Sequence, residues 1–119
     1  SEQNLGIANS TLLHGKEMSY LNFLDADAAF SSVNSFSGHT VSIVKHTNTC
    51  GLSSTDNQLE SYENALRGDP VSAFGGIVGF NTEVQSKTAI EISKTFYDVI
   101  IAPSFSEDAF KILSMKKKY

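Results

Sequence analysis

Cysteine occurs once in this sequence, as Cys50, proline only twice and tryptophan not at all. A single cysteine closes no internal disulfide, and no cysteine pair stands at zinc-ligand spacing, so a reduced, cytoplasmic setting without a metal site is expected. Long apolar runs are also missing. None reaches the ~18 residues of a membrane span, and the opening "SEQNLGIANS" has neither the basic nor the apolar stretch of a secretory signal, so no membrane is expected. Positive charge is scarce: nine Lys and Arg stand against thirteen Asp and Glu, a net charge of -4. That balance offers no basic field to a phosphate backbone and excludes nucleic acid as an expected partner. The one cationic run, Lys116 to Lys118, suits a helix C-terminus.

What is present is ordinary globular composition, 40% hydrophobic and 18% charged, in 119 residues that suffice for one domain around one core. "LDADAAFSSVNSF" places Ala26, Ala29, Phe30, Val33 and Phe36 at helical spacing, with Gly38 as its stop. "TVSIVKH" reads as a strand and is followed by a Gly/Ser/Thr loop. Thr55 and Gln58 have capping-box spacing at the head of a helix whose buried stripe is Leu59, Tyr62 and Leu66. Asp69-Pro70 ends that helix, and a Gly75-Gly76 turn leads into an apolar strand from Ile77 to Phe80. A second capping pattern, Thr82 to Gln85, opens a helix using Val84, Ile92 and Phe96. "YDVIIAP" is a further strand, and "SEDAFKILSMKKK" a last helix.

Helices alternating with strands too apolar to show a wet face predict an α/β layer fold, with a mostly parallel sheet and helices on both faces. In such sheets ligands gather at the carboxyl ends of strands, where Lys45-His46, the Gly75-Gly76 turn and the backbone beside Asp98 could meet. Histidine is the side chain suited to taking a proton near neutral pH, and Lys45 sets a cation beside His46. If the strand ran through both, alternation would send them to opposite faces, so joint action requires it to end or twist there. The plainer account of the spacing is a solvated strand end. Cys50, four residues from His46, is open to a thiol-dependent acyl transfer, against the plainer account of a small packed residue. "SAFGG" admits close backbone approach to a ligand or is simply a tight turn. Asp98 is an acceptor for an amine or amide, or a solvated strand start.

Four blocks in this order, "LHGKEMSYLNFLDADAA", "IVKHTNTCG", "DPVSAFGGIV" and "DVIIAPSF", cover nearly the whole chain. Together they resemble the aminoimidazole carboxamide ribonucleotide (AICAR) formyltransferase domain of the bifunctional AICAR formyltransferase/IMP cyclohydrolase family. The resemblance implies a cytidine-deaminase-like α/β fold, used twice in a complete formyltransferase domain, with this chain as the first copy. It implies transfer of a formyl group from 10-formyltetrahydrofolate to the exocyclic amine of AICAR, a step of purine biosynthesis. His46 matches the proton acceptor of the family and Lys45 the residue that stabilises the oxyanion or assists the leaving folate nitrogen, while Gly75 and Asp98 match positions that contact the nucleotide. Thr49 stands where the family commonly has Pro. An Arg-Tyr nucleotide-binding element is expected upstream of Ser1, the folate-binding residues beyond Tyr119, and the complete site across a homodimer interface. A folded nucleotide-binding or dimerisation fragment without turnover of its own is the alternative expectation.

Overall fold

The computed structural model describes residues 11–14, 38–46 and 48–116, the first run and Lys116 as backbone alone. Five strands form one sheet. They are β1 (Thr11–His14), β2 (His39–Lys45), β3 (Asn48–Thr55), β4 (Gly76–Phe80) and β5 (Tyr97–Ala102), in the order β1-β5-β4-β2-β3. Four helices accompany them: α1 (Gln58–Gly68), α2 (Pro70–Ala73), α3 (Ser86–Ile92) and α4 (Glu107–Lys116).

The α/β class agrees with the sequence; the expected mostly parallel sheet does not. Only β4 and β5 run parallel, while β1 with β5, β2 with β3, and β2 with β4 are antiparallel. The continuous apolar character of β2 and β4 reflects burial on both faces, which an interior antiparallel strand shares with a parallel one. Val41, Ile43, Val78, Phe80, Ile100 and Ala102 meet Tyr62 and Ala65 of α1, Ala73 of α2, Ala89 and Ile92 of α3, and Ala109 and Leu113 of α4 in one core. Each of the larger aliphatic or aromatic side chains contributes about 1.5–3 kcal/mol by leaving water. The opposite face, with Val44, Ile77, Val99 and Ile101, is equally buried. The helix expected over residues 24–36 lies outside the described residues.

Local chemistry moves two of the expected helix starts. Asn57, not Thr55, caps α1 by accepting from the Glu60 N–H at 2.9 Å. Thr55 instead ends β3, and its hydroxyl takes the Asn57 N–H at 3.0 Å. The expected capping pattern at Thr82 is recruited into a tertiary clasp. Buried Gln58 donates to Thr82 Oγ1 at 3.0 Å and to the Glu83 carbonyl at 2.7 Å, and accepts from the Gln85 N–H at 3.0 Å. Val84 then bridges to Phe105 in extended conformation, and α3 begins only at Ser86.

Two β-bulges lie at one end of the sheet. Ile43 pairs with Gly51 but Val44 with Thr49, which leaves Cys50 as the extra residue of β3. Gly76 pairs with Tyr97 but Ile77 with Val99, which leaves Asp98 as the extra residue of β5. The second bulge reverses the alternation of β5, so that Tyr97 joins Ile100 and Ala102 on the core side. There its hydroxyl bonds that of Tyr62 at 2.7 Å.

Candidate functional site

β2 ends at Lys45, and two positions separate it from β3, a spacing that calls for a tight hairpin whose loop backbone takes positive φ. His46 supplies it at φ 55. Few residues other than glycine tolerate this region, histidine among them, and a side chain held there at a loop tip is a common mark of function. The strand therefore stops between Lys45 and His46, the condition for the two to act together.

Both line an open cleft of about 370 Å³ with Asn48, Thr49, Cys50, Asp69 and Ser72. The wall opposite the hairpin is built by the junction of α1 and α2. Asp69 ends α1 and caps α2, its carboxylate accepting the Ser72 N–H at 3.1 Å, and Pro70 takes the first helical position where its missing N–H does no harm. The Ser72 bonds hold the Asp69 carboxyl below its ordinary range, so it stays ionised at neutral pH. Lys45 reaches across to this wall and donates from Nζ to the Phe74 carbonyl at 2.7 Å.

Gly75 follows directly, at φ 78, with its N–H donated to the Phe96 carbonyl at 2.8 Å. A Cβ at Gly75 would lie 3.7 Å from Lys45 Nζ, so conformation and not space requires glycine there. Gly76 opens β4 beside Val44 and Lys45 of β2. Asp98, at the β5 bulge, belongs to the same end of the sheet but stands two strands from β2, about 10 Å by strand spacing, and is not part of the cleft lining. The four expected residues thus share one sheet end. Lys45 and His46 line the cleft, Gly75 lies beside the Lys45 ammonium without lining it, and Asp98 is set to one side. The expected convergence on strand carboxyl ends is corrected in one respect: β2 delivers its carboxyl end, but β4 and β5 their amino ends, because β2 runs antiparallel to β4.

Cys50 is half-buried, its thiol 3.9 Å from the Asn48 carbonyl. Burial pushes the thiol pKa up, and the Asp69 carboxylate adds to this against the opposing influence of Lys45. A thiolate is thereby disfavoured, which argues against acyl transfer through Cys50. Among the described residues no cluster of His, Cys, Asp and Glu could hold a metal, and no helix is long and apolar enough to cross a membrane. Sequence reading used Asp69 only as a helix breaker and missed Ser72. Their signal is the string Asp69-Pro70-Val71-Ser72, an acidic cap three residues before the N–H it receives. The Phe74 carbonyl carries no sequence signal, because every residue has one.

A family model described as "AICARFT/IMPCHase bienzyme" matches residues 1–119. The chain is similar to relatives named "Bifunctional purine biosynthesis protein PurH": that of Caldicellulosiruptor saccharolyticus is 49% identical over 93% of this chain and 22% of its own length. The one from Dictyostelium discoideum is 49% identical over 95% of the chain and 21% of its own length, and the one from Listeria welshimeri 50% identical over 93% and 22%. The chain spans about a fifth of the length of these relatives. With the match running from its first residue to its last, the chain belongs to the AICARFT/IMPCHase bienzyme family.

Proposed function

We propose that this chain is the segment of an AICAR formyltransferase that carries its proton acceptor, His46, and its cation, Lys45. The observation that supports this most directly is the ending of β2 between these two residues, at the mouth of a cleft. The exocyclic amine of AICAR is a weak nucleophile, since its lone pair is drawn into the imidazole carboxamide. As it bonds to the formyl carbon of 10-formyltetrahydrofolate, His46 takes the proton that the nitrogen must shed. Negative charge then gathers on the formyl oxygen, and a fixed ammonium is the group suited to hold it or to assist departure of the folate nitrogen. As the carbon–nitrogen bond breaks, that nitrogen keeps the bonding pair and takes up a proton equivalent to the one His46 removed, leaving as the neutral amine. Gly75 gives the nucleotide close access to backbone, and Asp98 accepts from its amide or amine. Folate is held mainly by residues outside this chain, the cytidine-deaminase-like layering is repeated in a second copy, and the whole is a cytoplasmic homodimer.

Replacing the matching segment of the Listeria welshimeri relative by this chain tests the reading. The chimera is expected to formylate AICAR, and His46→Asn to lower turnover by about 100-fold or more. Turnover that survives His46→Asn within about threefold would overturn the role of His46, since general base catalysis contributes more than that. Calorimetry of AICAR with the 119-residue chain addresses the alternative, a fragment that binds without turnover.

A further inference from the structure

We infer that Asp69 is a positioning residue for Lys45, acting through α2 and the carbonyl of Phe74. This rests on the reading of Lys45 as the cation of the formyl transfer.

A lysine side chain on a strand end has four rotatable bonds and no fixed direction of its own. Here, among the described residues, its ammonium is aimed at the Phe74 carbonyl, to which it donates at 2.7 Å. That carbonyl is held by three further features. The Phe74 N–H bonds the Val71 carbonyl at 3.3 Å, so Phe74 closes α2. Its ring lies against that of Phe96, with centroids 5.4 Å apart. The next N–H, that of Gly75, is tied to the Phe96 carbonyl at 2.8 Å. The peptide unit between Phe74 and Gly75 is therefore gripped at both ends, by the ammonium at its oxygen and by the chain leading into β5 at its nitrogen. The positive φ of Gly75 permits that orientation.

The weak link is α2. Four residues form one turn, which does not sustain itself in water. Its start is fixed by Asp69, whose carboxylate takes the Ser72 N–H at 3.1 Å. Removing this cap frays the turn that ends in Phe74 and releases the acceptor of Lys45, with Lys45 itself unaltered. Asp69 also lines the cleft, so its effect on Lys45 has to be separated from a general effect of charge. Asn at position 69 does this, since its amide oxygen caps equally well and carries no charge.

The test has two readouts. In the 119-residue chain, acylation of lysines by an amine-reactive ester is followed by mass spectrometry, with exposed Lys87 as the internal standard. Asp69→Ala is expected to speed labelling of Lys45 relative to Lys87 by about threefold or more, the equivalent of one lost hydrogen bond, and Asp69→Asn to restore it. In the chimera, Asp69→Ala is expected to lower kcat by about tenfold, with recovery in Asp69→Asn. A Lys45 labelling ratio unchanged by Asp69→Ala overturns the inference, as does loss of kcat in Asp69→Asn equal to that in Asp69→Ala. Changed labelling in a chimera whose formyl transfer survives Lys45→Ala and His46→Asn supports the positioning and overturns the catalytic reading instead.

Discussion

His46 is constrained twice, by its place before the cleft and by its backbone. At φ 55 an alanine is strained by about 1 kcal/mol, whereas Asn tolerates the region. His46→Ala is accordingly expected to lower the urea stability by about 1 kcal/mol and His46→Asn to leave it nearly unchanged, so that only the second isolates the imidazole. The buried Tyr62–Tyr97 hydroxyl pair sets a pH limit. Burial raises both phenols above their ordinary value of 10.0, Tyr97 further because it faces Tyr62. In the unfolded chain these tyrosines ionise near pH 10 while the folded chain keeps them protonated, so above that pH the unfolded state binds fewer protons. Stability is full below about pH 10 and falls above it, by about 1.4 kcal/mol per pH unit for each tyrosine still protonated. Tyr62→Phe is expected to cost about 1 kcal/mol at pH 7 and to flatten that fall, both read from urea midpoints.

Among elements, β3 shows where the sequence was hardest to read. "NTCGLSST" is small and polar, and reads as loop. It becomes a strand because it pairs along β2 and α1 packs on it so closely that a Cβ on Gly51 would stand 1.9 Å from the Ala65 carbonyl oxygen. Gly51→Ala must push strand and helix apart and is expected to lower stability by about 3 kcal/mol in urea unfolding. Gly68→Ala, where the nearest atom is the Cys50 carbonyl oxygen at 3.2 Å, should lose far less. β1 was likewise hidden in a polar lead, being only four residues at an edge. By contrast β2, β4, β5 and α4 were legible within a residue or so at their starts, since their burial writes itself into continuous apolar runs or helical spacing. Strand direction was not legible, because such runs look the same in either direction. The site divided in the same way. Lys45, His46 and Gly75 stood out as chemistry or as a turn, while the role of Asp69 depends on a backbone carbonyl that no residue type announces.

At the scale of the molecule, the sheet order joins the first described segment to the last strand. β1 pairs along β5 from Thr11 opposite Ala102 to His14 opposite Val99. Removing residues 1–14 would leave the apolar "VIIA" of β5 as an open edge, the situation that favours strand addition by a second molecule. Light scattering during heating should show aggregation of the truncated chain at a lower temperature than the full chain, and coincident onsets would contradict this. The cleft itself draws on Lys45, His46 and Asn48 to Cys50 on one side and on Asp69 and Ser72 on the other, which no short peptide brings together. The two bulges bear on how this chain can change length. Deleting Asp98 would bring Tyr97 beside Val99 in regular alternation, still on the core side, and deleting Cys50 would leave a continuous hairpin ladder. A deletion one residue onward, at Val99 or Gly51, draws on paired positions instead. Bulges of this kind act as slack in the chain: loss of one residue is absorbed at Cys50, in the cleft lining, or at Asp98, to one side of it, while the rest of the sheet keeps its register.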